Sequence, residues 1–271
     1  MNFLFWNTRG RDLRASIGRL ARRHELDFLI LAEARLPDAA VARVLSEATN
    51  RRFHFAPGLA PALQVFSVHN PSFVTPLLES DRYSIRRVQL PLLLDFLIAV
   101  AHLPSRMFVS AESQVALFFE LSTDIKAVET SVGHQRTILV GDLNANPFDA
   151  GVVSAVGLNA VMTRRLAARG ARTVQRRSYP FFYNPMWRLM GDEQPGPAGS
   201  YYYGRAEDIQ YFWHTHDQVL VRPSMLAMLP SSGIEFVTRD GRNSFLDANG
   251  RPNQRDFSDH LPLFFRLAIE V

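Results

Sequence analysis

The sequence contains no cysteine, and Lys126 is its only lysine. The lack of thiols excludes disulfides, thiolate metal sites and a cysteine nucleophile, and it fits a reducing compartment. Any bound metal ion must therefore be held by oxygen or imidazole ligands. The basic residues are almost all arginine, so the 30 positive side chains are of nearly one type.

Several catalytic fingerprints are also missing. The chain has neither GxxxxGK[ST] nor GxGxxG, so it carries no signature of a P-loop or of a dinucleotide-binding fold. It has no GxSxG nucleophile elbow. It also has no HExxH, and His214 and His216 are spaced neither as a helical pair nor with an obvious third ligand, which disfavours zinc.

No apolar run is long enough to span a bilayer. The longest run, residues 90–103, is interrupted by Asp95 and is shorter than the roughly 20 residues that a spanning helix needs. Residues 1–14 have too few apolar positions for a signal peptide. We therefore expect a soluble, cytoplasmic protein with no membrane partner.

Length and charge set broad limits on the protein. Its 271 residues are 47% hydrophobic, enough for a large core, and we predict a single domain covering residues 1–271. A net charge of +4 and a pI near 9.7 mildly favour a polyanionic partner. Genomic base composition is an alternative explanation for so many arginines.

Apolar strands and amphipathic helices alternate along the chain. Strands are predicted at residues 3–6, 27–31, 63–68, 83–90, 92–103, 137–140, 218–221, 234–238 and 262–267. Helices are predicted at residues 11–23, 37–48, 108–132 and 151–166. Residues 176–213 are rich in Pro, Gly and aromatic residues and are predicted to form a long surface excursion. The alternation predicts a layered α/β fold.

Polar side chains follow several of the predicted strands. They are Asn7, Glu33, His102, Asp142, Asn144 and the pair Asp259 and His260. Strand ends are rigid platforms, and ligand sites gather there in layered sheets. Carboxylates, amides and imidazoles of this kind suit a hard cation such as Mg²⁺ or Mn²⁺.

Each of these residues also has a purely structural interpretation. Asp142 with Asn144 is typical of a turn, and Asn7 could close another turn. Glu33 could form a salt bridge with Arg35 or Arg9. His102 could be a hydrogen-bonded core residue, and the Asp259–His260 pair could cap a strand.

Six short motifs occur one after another along the chain. They are WN at residues 6–7, LAE at 31–33, HLPS at 102–105, GDLNANP at 141–147, HDQVLVRPSML at 216–226 and SDHLPL at 258–263. This series resembles the endonuclease/exonuclease/phosphatase superfamily, the metal-dependent phosphodiesterases that include DNase I and the apurinic endonucleases. The resemblance implies a DNase I-like four-layer α/β sandwich, in which two packed mixed β-sheets are flanked by helices.

The resemblance implies a metal and an activated water at one end of the sheets. Glu33 would ligate the Mg²⁺ or Mn²⁺ ion, with Asn7 and Asp259 close to it. Asp142 would orient or deprotonate the attacking water, and Asn144 would bond a phosphate oxygen.

Proton transfer is implied for two histidines. His260 would contact the scissile phosphate and act in proton transfer, held in its tautomer by Asp217. His102 would act near the leaving oxygen, as a histidine does in the DNase I branch. Arg106, just after HLPS, is a candidate phosphate contact or an ordinary surface arginine, and Asn7 is a further candidate substrate contact.

The sequence departs from the family pattern in two places. LAE replaces the common LQE, which removes a side-chain amide near the metal. Residues 176–213 are longer than in a minimal member and resemble a bacterial subgroup; their aromatics could stack bases or pack internally.

The expected function is metal-dependent hydrolysis of phosphodiester bonds, with DNA as the favoured substrate and RNA as a possible one. Two alternatives remain open on the same fold. One is a phosphatase or phosphodiesterase that acts on a small molecule or a phosphoinositide. The other is a binding protein without catalysis, although the complete set of site residues argues against a decayed site.

Overall fold

The computed structural model describes residues 1–105, 109–191, 196–230 and 232–269. The strands are β1 (Asn2–Asn7), β2 (Phe28–Ala32), β3 (His54–Ala56), β4 (Leu63–Ser67), β5 (Val74–Glu79), β6 (Tyr83–Val88), β7 (Phe96–His102), β8 (Thr137–Asp142), β9 (Ala160–Val161), β10 (Ala171–Val174), β11 (Arg177–Pro180), β12 (Phe182–Tyr183), β13 (Tyr201–Tyr202), β14 (Trp213–His214), β15 (Asp217–Val221), β16 (Ile234–Phe236) and β17 (Leu263–Arg266). The α-helices are α1 (Arg14–Arg23), α2 (Asp38–Thr49), α3 (Ala111–Val132), α4 (Ala150–Val153) and α5 (Arg164–Ala167). Short 3-10 helices lie at Pro71–Phe73, Pro185–Leu189 and Pro223–Met228.

Most of the strands form two mixed sheets. The first sheet has the order β16-β17-β1-β2-β4-β3, and its strands β1 and β2 are parallel. The second sheet has the order β5-β6-β7-β8-β15-β12-β9, with β7 parallel and β15 antiparallel to β8. The hairpins β10-β11 and β13-β14 lie outside these two sheets.

The core lies between the two sheets. Strand β7 is apolar throughout because both of its faces are buried. Ile98 and Val100 of β7 belong to the same buried cluster as Phe5 of β1. Their alternate neighbours Leu97 and Ala99 belong to a second cluster, to which α3 contributes. Successive side chains of a strand point to opposite faces, so a strand covered on both faces has no polar side.

Helices cover the outer faces of the sheets. α1 and α2 contribute Ile17, Leu20, Val41 and Leu45 to the buried cluster of the first sheet. α3 contributes its own apolar residues to the cluster of the second sheet. The layers therefore run helix, sheet, sheet, helix, which is the α/β sandwich that the sequence resemblance implied.

The helix α3 has clear end signals. The Oγ atom of Ser110 accepts a hydrogen bond from the N–H of Ser113, and the helix ends at Gly133 with a φ of 78°. Its predicted start at residue 108 lies outside the described residues. Within the ranges described above, no helix is long and apolar enough to cross a membrane.

The helix predicted for residues 151–166 is wrong. The structure has two short helices there, α4 and α5, with β9 between them. A Cβ atom on Gly157 would lie 2.1 Å from the carbonyl oxygen of Gly151, so the chain turns sharply at this glycine. Asn159 has a φ of 53°, and its side chain donates to the carbonyl oxygen of Tyr179. These two residues break the helical path and direct the chain into the second sheet.

The surface excursion predicted for residues 176–213 is wrong over part of its length. β12 pairs with both β15 and β9 inside the second sheet. Phe182 and Met186 are fully buried. The later part of the region forms β13, whose Tyr201 makes a bridge with His260. Strand pairing and burial of aromatic side chains decide this outcome, and neither is visible in local composition.

Candidate active site

Three polar side chains lie at one end of three adjacent strands in the second sheet. We call this row of strand ends the reactive edge. The parallel register of β7 and β8 sets His102 beside Asp142. The antiparallel register of β15 sets Asp217 on the other side of Asp142. Residues that are distant in the sequence thus occupy neighbouring positions on three adjacent strands.

Asn7 connects this edge to the first sheet. It is the last residue of β1 and is 1% exposed. Its Nδ2 atom donates to Oδ2 of Asp142 at 2.9 Å and to Oε1 of Glu33 at 3.0 Å. Its Oδ1 atom accepts the backbone N–H of Arg9 at 3.0 Å. Glu33 directly follows β2, the parallel neighbour of β1, so both sheets contribute to one polar cluster.

Glu33 and His102 lie within contact distance of each other at this edge. Nε2 of His102 lies 3.3 Å from Oε1 of Glu33. The hydrogen bond from His102 lowers the pKa of Glu33 to about 2, although partial burial acts in the opposite direction. Burial disfavours the charged imidazole, but Glu33 and Asp142 raise the pKa of His102. The partners of Glu33 are therefore His102 and Asn7, and a salt bridge with Arg35 or Arg9 is not formed.

Asp142 is the buried centre of the cluster. Its Oδ1 atom accepts the backbone N–H of Asn144 at 2.9 Å, which is the bond of an Asx turn. Burial opposes ionisation, but the positive charges of His260 and His102 lower the pKa of Asp142. The turn, which was one of the two interpretations of the sequence, is present, and the same residue also lies in the polar cluster.

His260 is paired with Asp217. Its Nδ1 atom lies 2.7 Å from Oδ2 of Asp217, and its Nε2 atom lies 3.8 Å from Oδ2 of Asp142. Burial disfavours the imidazolium, but Asp217 and Asp142 together raise the pKa of His260 to about 10. Burial raises the pKa of Asp217 while the charge of His260 opposes this effect. We assign the pair as imidazolium and carboxylate, because two carboxylates face one imidazole at short range.

Two groups of side chains in the described ranges could hold a metal ion. The first is Glu33, His102 and Asp142, and the second is Asp142, Asp217 and His260. The ligand atoms within each group lie within 4.8 Å of one another. The first group has a carboxylate that is 42% exposed, so water and a phosphate oxygen could complete the coordination of a hard divalent ion. The donor chemistry of the first group therefore fits Mg²⁺ or Mn²⁺.

Asp259 belongs to neither group. Its Oδ2 atom lies 3.3 Å from Nε of Arg9, and Nη1 of Arg9 also donates to Gln254 at 3.1 Å. Of the three residues predicted near the metal, the structure brings Glu33 and Asn7 together. Asn7 presents its amide nitrogen to Glu33, and nitrogen is a donor rather than a metal ligand.

The remaining predicted residues lie at the rim or outside the described ranges. Asn144 has a φ of 47° and donates from Nδ2 to the carbonyl oxygen of Leu103 at 2.8 Å. Its side chain also lines a cleft beside the cluster. Arg106, the predicted phosphate contact, lies outside the described residues.

Sequence reasoning missed an aromatic wall beside His260. The ring of Tyr201 lies 4.9 Å from the ring of His260 and stacks on His216 at 5.3 Å. His214 lies 4.9 Å from His216. The only signal was the pair His214 and His216 just before Asp217, because alternate residues of an extended chain share a face.

This wall borders a cleft of about 450 Å³. Its lining includes Asn144, Asn146, Tyr201, Tyr211, His214 and His216. Asn144 also contacts Asp142, and Tyr201 contacts His260, so the cleft opens next to the polar cluster. A volume of this size lies within the range of small-molecule binding clefts.

Comparison with known proteins shows the family to which the chain is similar. The sequence model of the Endonuclease/Exonuclease/phosphatase family matches residues 4–260. No curated protein sequence matches the chain.

Solved structures share the fold at low sequence identity. An AP endonuclease from Archaeoglobus fulgidus is 13% identical, with a TM-score of 0.59 over 100% of both chains. The 3' phosphatase NExo from Neisseria, bound to a product DNA hairpin, is 17% identical, with a TM-score of 0.56 over 98% of this chain and 99% of that one. TDP2 of D. rerio, complexed with a single-strand DNA product, is 16% identical, with a TM-score of 0.56 over 98% of each chain.

These neighbours confirm the DNase I-like α/β sandwich. Enzymes of the matched family hydrolyse phosphoesters and depend on divalent metal ions. With the family model covering nearly the whole sequence, the chain belongs to the Endonuclease/Exonuclease/phosphatase family.

Proposed function

We propose that this protein hydrolyses phosphodiester bonds in nucleic acid, with DNA as the favoured substrate. One observation carries the proposal. Carboxylates, an amide and two histidines from both sheets meet at a single edge, around Asp142. Charge develops on phosphate oxygens during phosphodiester cleavage, and fixed charges placed at such oxygens lower the barrier.

Mg²⁺ or Mn²⁺ would be held by Glu33 and Asp142, with His102 beside them. When bound, the ion would neutralise charge on a phosphate oxygen and help to position substrate. The charge state of these side chains suits that role, because the pKa values of Glu33 and Asp142 are both lowered.

The pair of His260 and Asp217 would act on the substrate directly. Nδ1 is engaged by Asp217, which leaves Nε2 as the atom that faces Asp142 and the reactive edge. With its pKa raised to about 10, His260 carries a proton near neutral pH and can donate a hydrogen bond from Nε2 to a nonbridging oxygen. Asp142 would accept a proton from the attacking water or orient it.

Two features favour nucleic acid as the substrate. The aromatic wall of Tyr201, His214 and His216 offers ring faces on which a base can stack beside the reactive edge. The neighbours described above include proteins bound to DNA products, and we carry that substrate class to this chain as part of the proposal.

A small-molecule phosphatase or phosphodiesterase is the second candidate. The observation that favours it is the cleft beside Asn144, whose volume of about 450 Å³ suits a single small ligand. Glu207 and Asp149 also line the cleft, and their negative charge would select against a second phosphate there.

Cleavage assays test the proposal. Purified protein is incubated with labelled single-stranded DNA, double-stranded DNA, RNA and bis(p-nitrophenyl) phosphate, with Mg²⁺, Mn²⁺ or chelator. We expect metal-dependent cleavage of DNA and a loss of roughly 10²-fold to 10⁴-fold in Asp142→Asn and His260→Gln. Glu47→Gln, on the exposed face of α2, is the matched control and should keep full activity.

Several outcomes would contradict the proposal. If DNA and RNA stay intact while a small phosphoester is hydrolysed, the second candidate replaces the first. If no phosphoester is cleaved and calorimetry detects no Mn²⁺ binding, the protein is a binding module on an inactive fold. Activity that survives in both Asp142→Asn and His260→Gln would place the reaction elsewhere.

A further inference from the structure

An arginine-rich surface lies outside the catalytic edge. Between Asp149 and Asp192 the sequence has seven arginines and no Asp or Glu. Its exposed members lie on or next to the hairpin β10-β11, and they are Arg165, Arg169, Arg172, Arg176 and Arg177. We call this group the arginine hairpin.

The arginine hairpin lies at the end of the second sheet that is opposite to the reactive edge. Arg222, which follows β15, donates to the carbonyl oxygen of Pro180, the last residue of β11. Asp217, at the other end of β15, belongs to the catalytic cluster. Four strand steps separate Asp217 from Val221, which corresponds to about 13 Å at the usual rise of a strand. The arginine hairpin therefore has no direct part in the chemistry.

The positive charges of the arginine hairpin are not neutralised by acids in the described part of the chain. Arg172 donates to the backbone oxygen of Val153, and the other four members form no ion pair there. Glu129 of α3 lies near this end of the sheet, but it is buried and paired with Arg222 at 2.7 Å. Lys126 lies 5.6 Å from the ring of Tyr179 in β11 and adds one more positive charge.

The turn of the arginine hairpin is built from unfavourable residues. Gln175 and Arg176 have φ values of 48° and 64°, the sign pattern of a type I′ turn. Such turns favour Asn-Gly, because Gly has no Cβ atom and Asn tolerates the left-handed region better than other residues with side chains. The chain instead places a guanidinium at the tip. Strain that is retained at one position is typical of functional sites.

We propose that the arginine hairpin is a second binding site for the phosphate backbone of nucleic acid. Guanidinium groups bond phosphate oxygens in pairs, and a two-stranded β-ribbon is narrow enough to enter a major groove. The proposal rests on the nucleic-acid substrate class proposed above and adds a site that binds without catalysing. Long nucleic acids gain affinity from it, whereas small phosphodiesters do not reach it.

Salt-dependent binding tests the arginine hairpin. The test variant is Arg169→Gln with Arg176→Gln and Arg177→Gln. The control variant makes the same change in net charge at exposed arginines elsewhere, namely Arg22→Gln with Arg23→Gln and Arg52→Gln. Anisotropy of a labelled duplex of about 40 base pairs is measured in chelator, so that no cleavage occurs, from about 50 to 200 mM salt.

Each lost phosphate contact reduces the slope of log affinity against log salt by about 0.9. We expect the slope of the test variant to fall by about 2.7, and that of the control variant by less than about 1. Equal slopes in the two variants would overturn the proposal. Unchanged DNA binding, with loss of binding to phosphatidylserine vesicles instead, would also overturn it in favour of a membrane surface.

A second variant separates binding from structure. Gln175→Asn with Arg176→Gly matches the preferred turn, so it should raise Tm by about 2 °C while it lowers the salt slope by about 0.9. A purely structural hairpin would show the rise in Tm with no change in slope, and that result contradicts the proposal.

The hydrolysis of bis(p-nitrophenyl) phosphate distinguishes this proposal from the proposed function. The test variant should hydrolyse it at the wild-type rate. A protein that binds DNA through the arginine hairpin but hydrolyses no phosphoester leaves this site standing and removes the function. If the protein cleaves DNA and the two triple variants bind DNA equally, the proposed function stands and the arginine hairpin is not a binding site.

Discussion

Asp142 uses each of its carboxylate oxygens for a different purpose. Oδ1 accepts the backbone N–H of Asn144 and fixes the turn, while Oδ2 accepts from Asn7 and faces both His102 and His260. A side chain with fixed geometry is already placed for reaction and loses little entropy when substrate arrives. The turn bond therefore helps to fix the position of Oδ2, the oxygen to which we assign the reaction in the proposed function.

The charge of His260 makes stability depend on pH. Its folded pKa is raised to about 10 from an ordinary value of 6.5, because Asp217 and Asp142 outweigh burial. The stabilisation is fully present below about pH 6.5 and is lost as the pH rises through about 10. Urea unfolding of the metal-free protein should show the free energy of unfolding falling by a few kcal/mol, at roughly 1.4 kcal/mol per pKa unit, over this window.

His260→Gln should remove most of this pH dependence, because glutamine does not titrate. His54→Gln, in the edge strand β3, serves as the control and should keep the wild-type profile. A wild-type profile that is flat between pH 6.5 and 10 would show that His260 is neutral in the folded protein.

Removal of the Glu33 charge should weaken metal binding. We expect Glu33→Gln to raise the Kd for Mn²⁺ by at least about tenfold in titration calorimetry, since a carboxylate ligand is replaced by a neutral amide. Asp259→Asn is a useful comparison, because Asp259 is paired with Arg9 and lies outside both candidate ligand groups. A larger loss in Asp259→Asn than in Glu33→Gln would place the ion next to Asp259.

At the scale of elements, the pairing of β7 with β8 sets the position of His102 beside Asp142. Gly141 of β8 lies beside Ala101 of β7, one step before the pair of His102 and Asp142. A Cβ atom on Gly141 would lie 1.9 Å from the carbonyl oxygen of Ala101. The absence of a side chain thus allows the two strands to approach each other next to His102 and Asp142.

Gly141→Ala should therefore damage both stability and activity. The clash is with backbone rather than with a flexible side chain, so we expect a loss of about 2 to 3 kcal/mol in the free energy of unfolding. Chemical denaturation measures this loss. Gly204→Ala is the control, because its Cβ atom would meet only the ring of Tyr202 at 3.1 Å. A Gly141→Ala protein with wild-type stability would mean that the strands can separate without cost.

A buried ion pair ties α3 to the second sheet. Glu129 of α3 accepts from Arg222, which follows β15, and from Thr137 of β8 at 2.6 Å. Both charged side chains are 2% exposed or less. Removing one partner leaves the other charge buried and unpaired.

Glu129→Gln should cost about 3 kcal/mol of stability for this reason. The double variant Glu129→Leu with Arg222→Met should recover part of that loss, because neither charge remains. Thermal denaturation of the two proteins gives the comparison. A double variant that is less stable than Glu129→Gln would mean that the pair itself, rather than the isolated charge, supplies the stability.

At the scale of the whole molecule, the polar cluster around Asp142 lies where the two sheets meet. Nε1 of Trp6 donates to the carbonyl oxygen of His260, and Oγ of Ser258 donates to the carbonyl oxygen of Asn7. These bonds join the beginning and the end of the described chain. A ligand bound at this edge therefore stabilises both sheets together.

Metal binding should raise the thermal stability of the whole protein. At a Mn²⁺ concentration about 100 times Kd, mass action adds about 2.7 kcal/mol, which corresponds to roughly 5 °C in Tm. Scanning calorimetry with Mn²⁺ or chelator measures the shift. Glu33→Gln at the same metal concentration should show a smaller shift, and an equal shift would mean that the stabilising ion is bound at another place.

Elements with a long apolar pattern could be predicted from the sequence, and very short elements could not. β7 and α3 have long apolar patterns, because they are covered on one or both faces, and both were predicted. The sequence predicted one helix over residues 151–166, and Gly157 and Asn159 interrupt it. β12 was missed, since a two-residue strand has no period to detect.

The sequence by itself determined the alternating architecture, the residue types at the strand ends and the hard donors available to a metal. These properties are local or follow from ordered motifs. Only the tertiary structure decided which side chains meet: His102 with Glu33, Arg9 with Asp259, and Tyr201 against His260. Such contacts depend on strand register and on sheet packing, and both are set by the burial of the whole core rather than by any one segment.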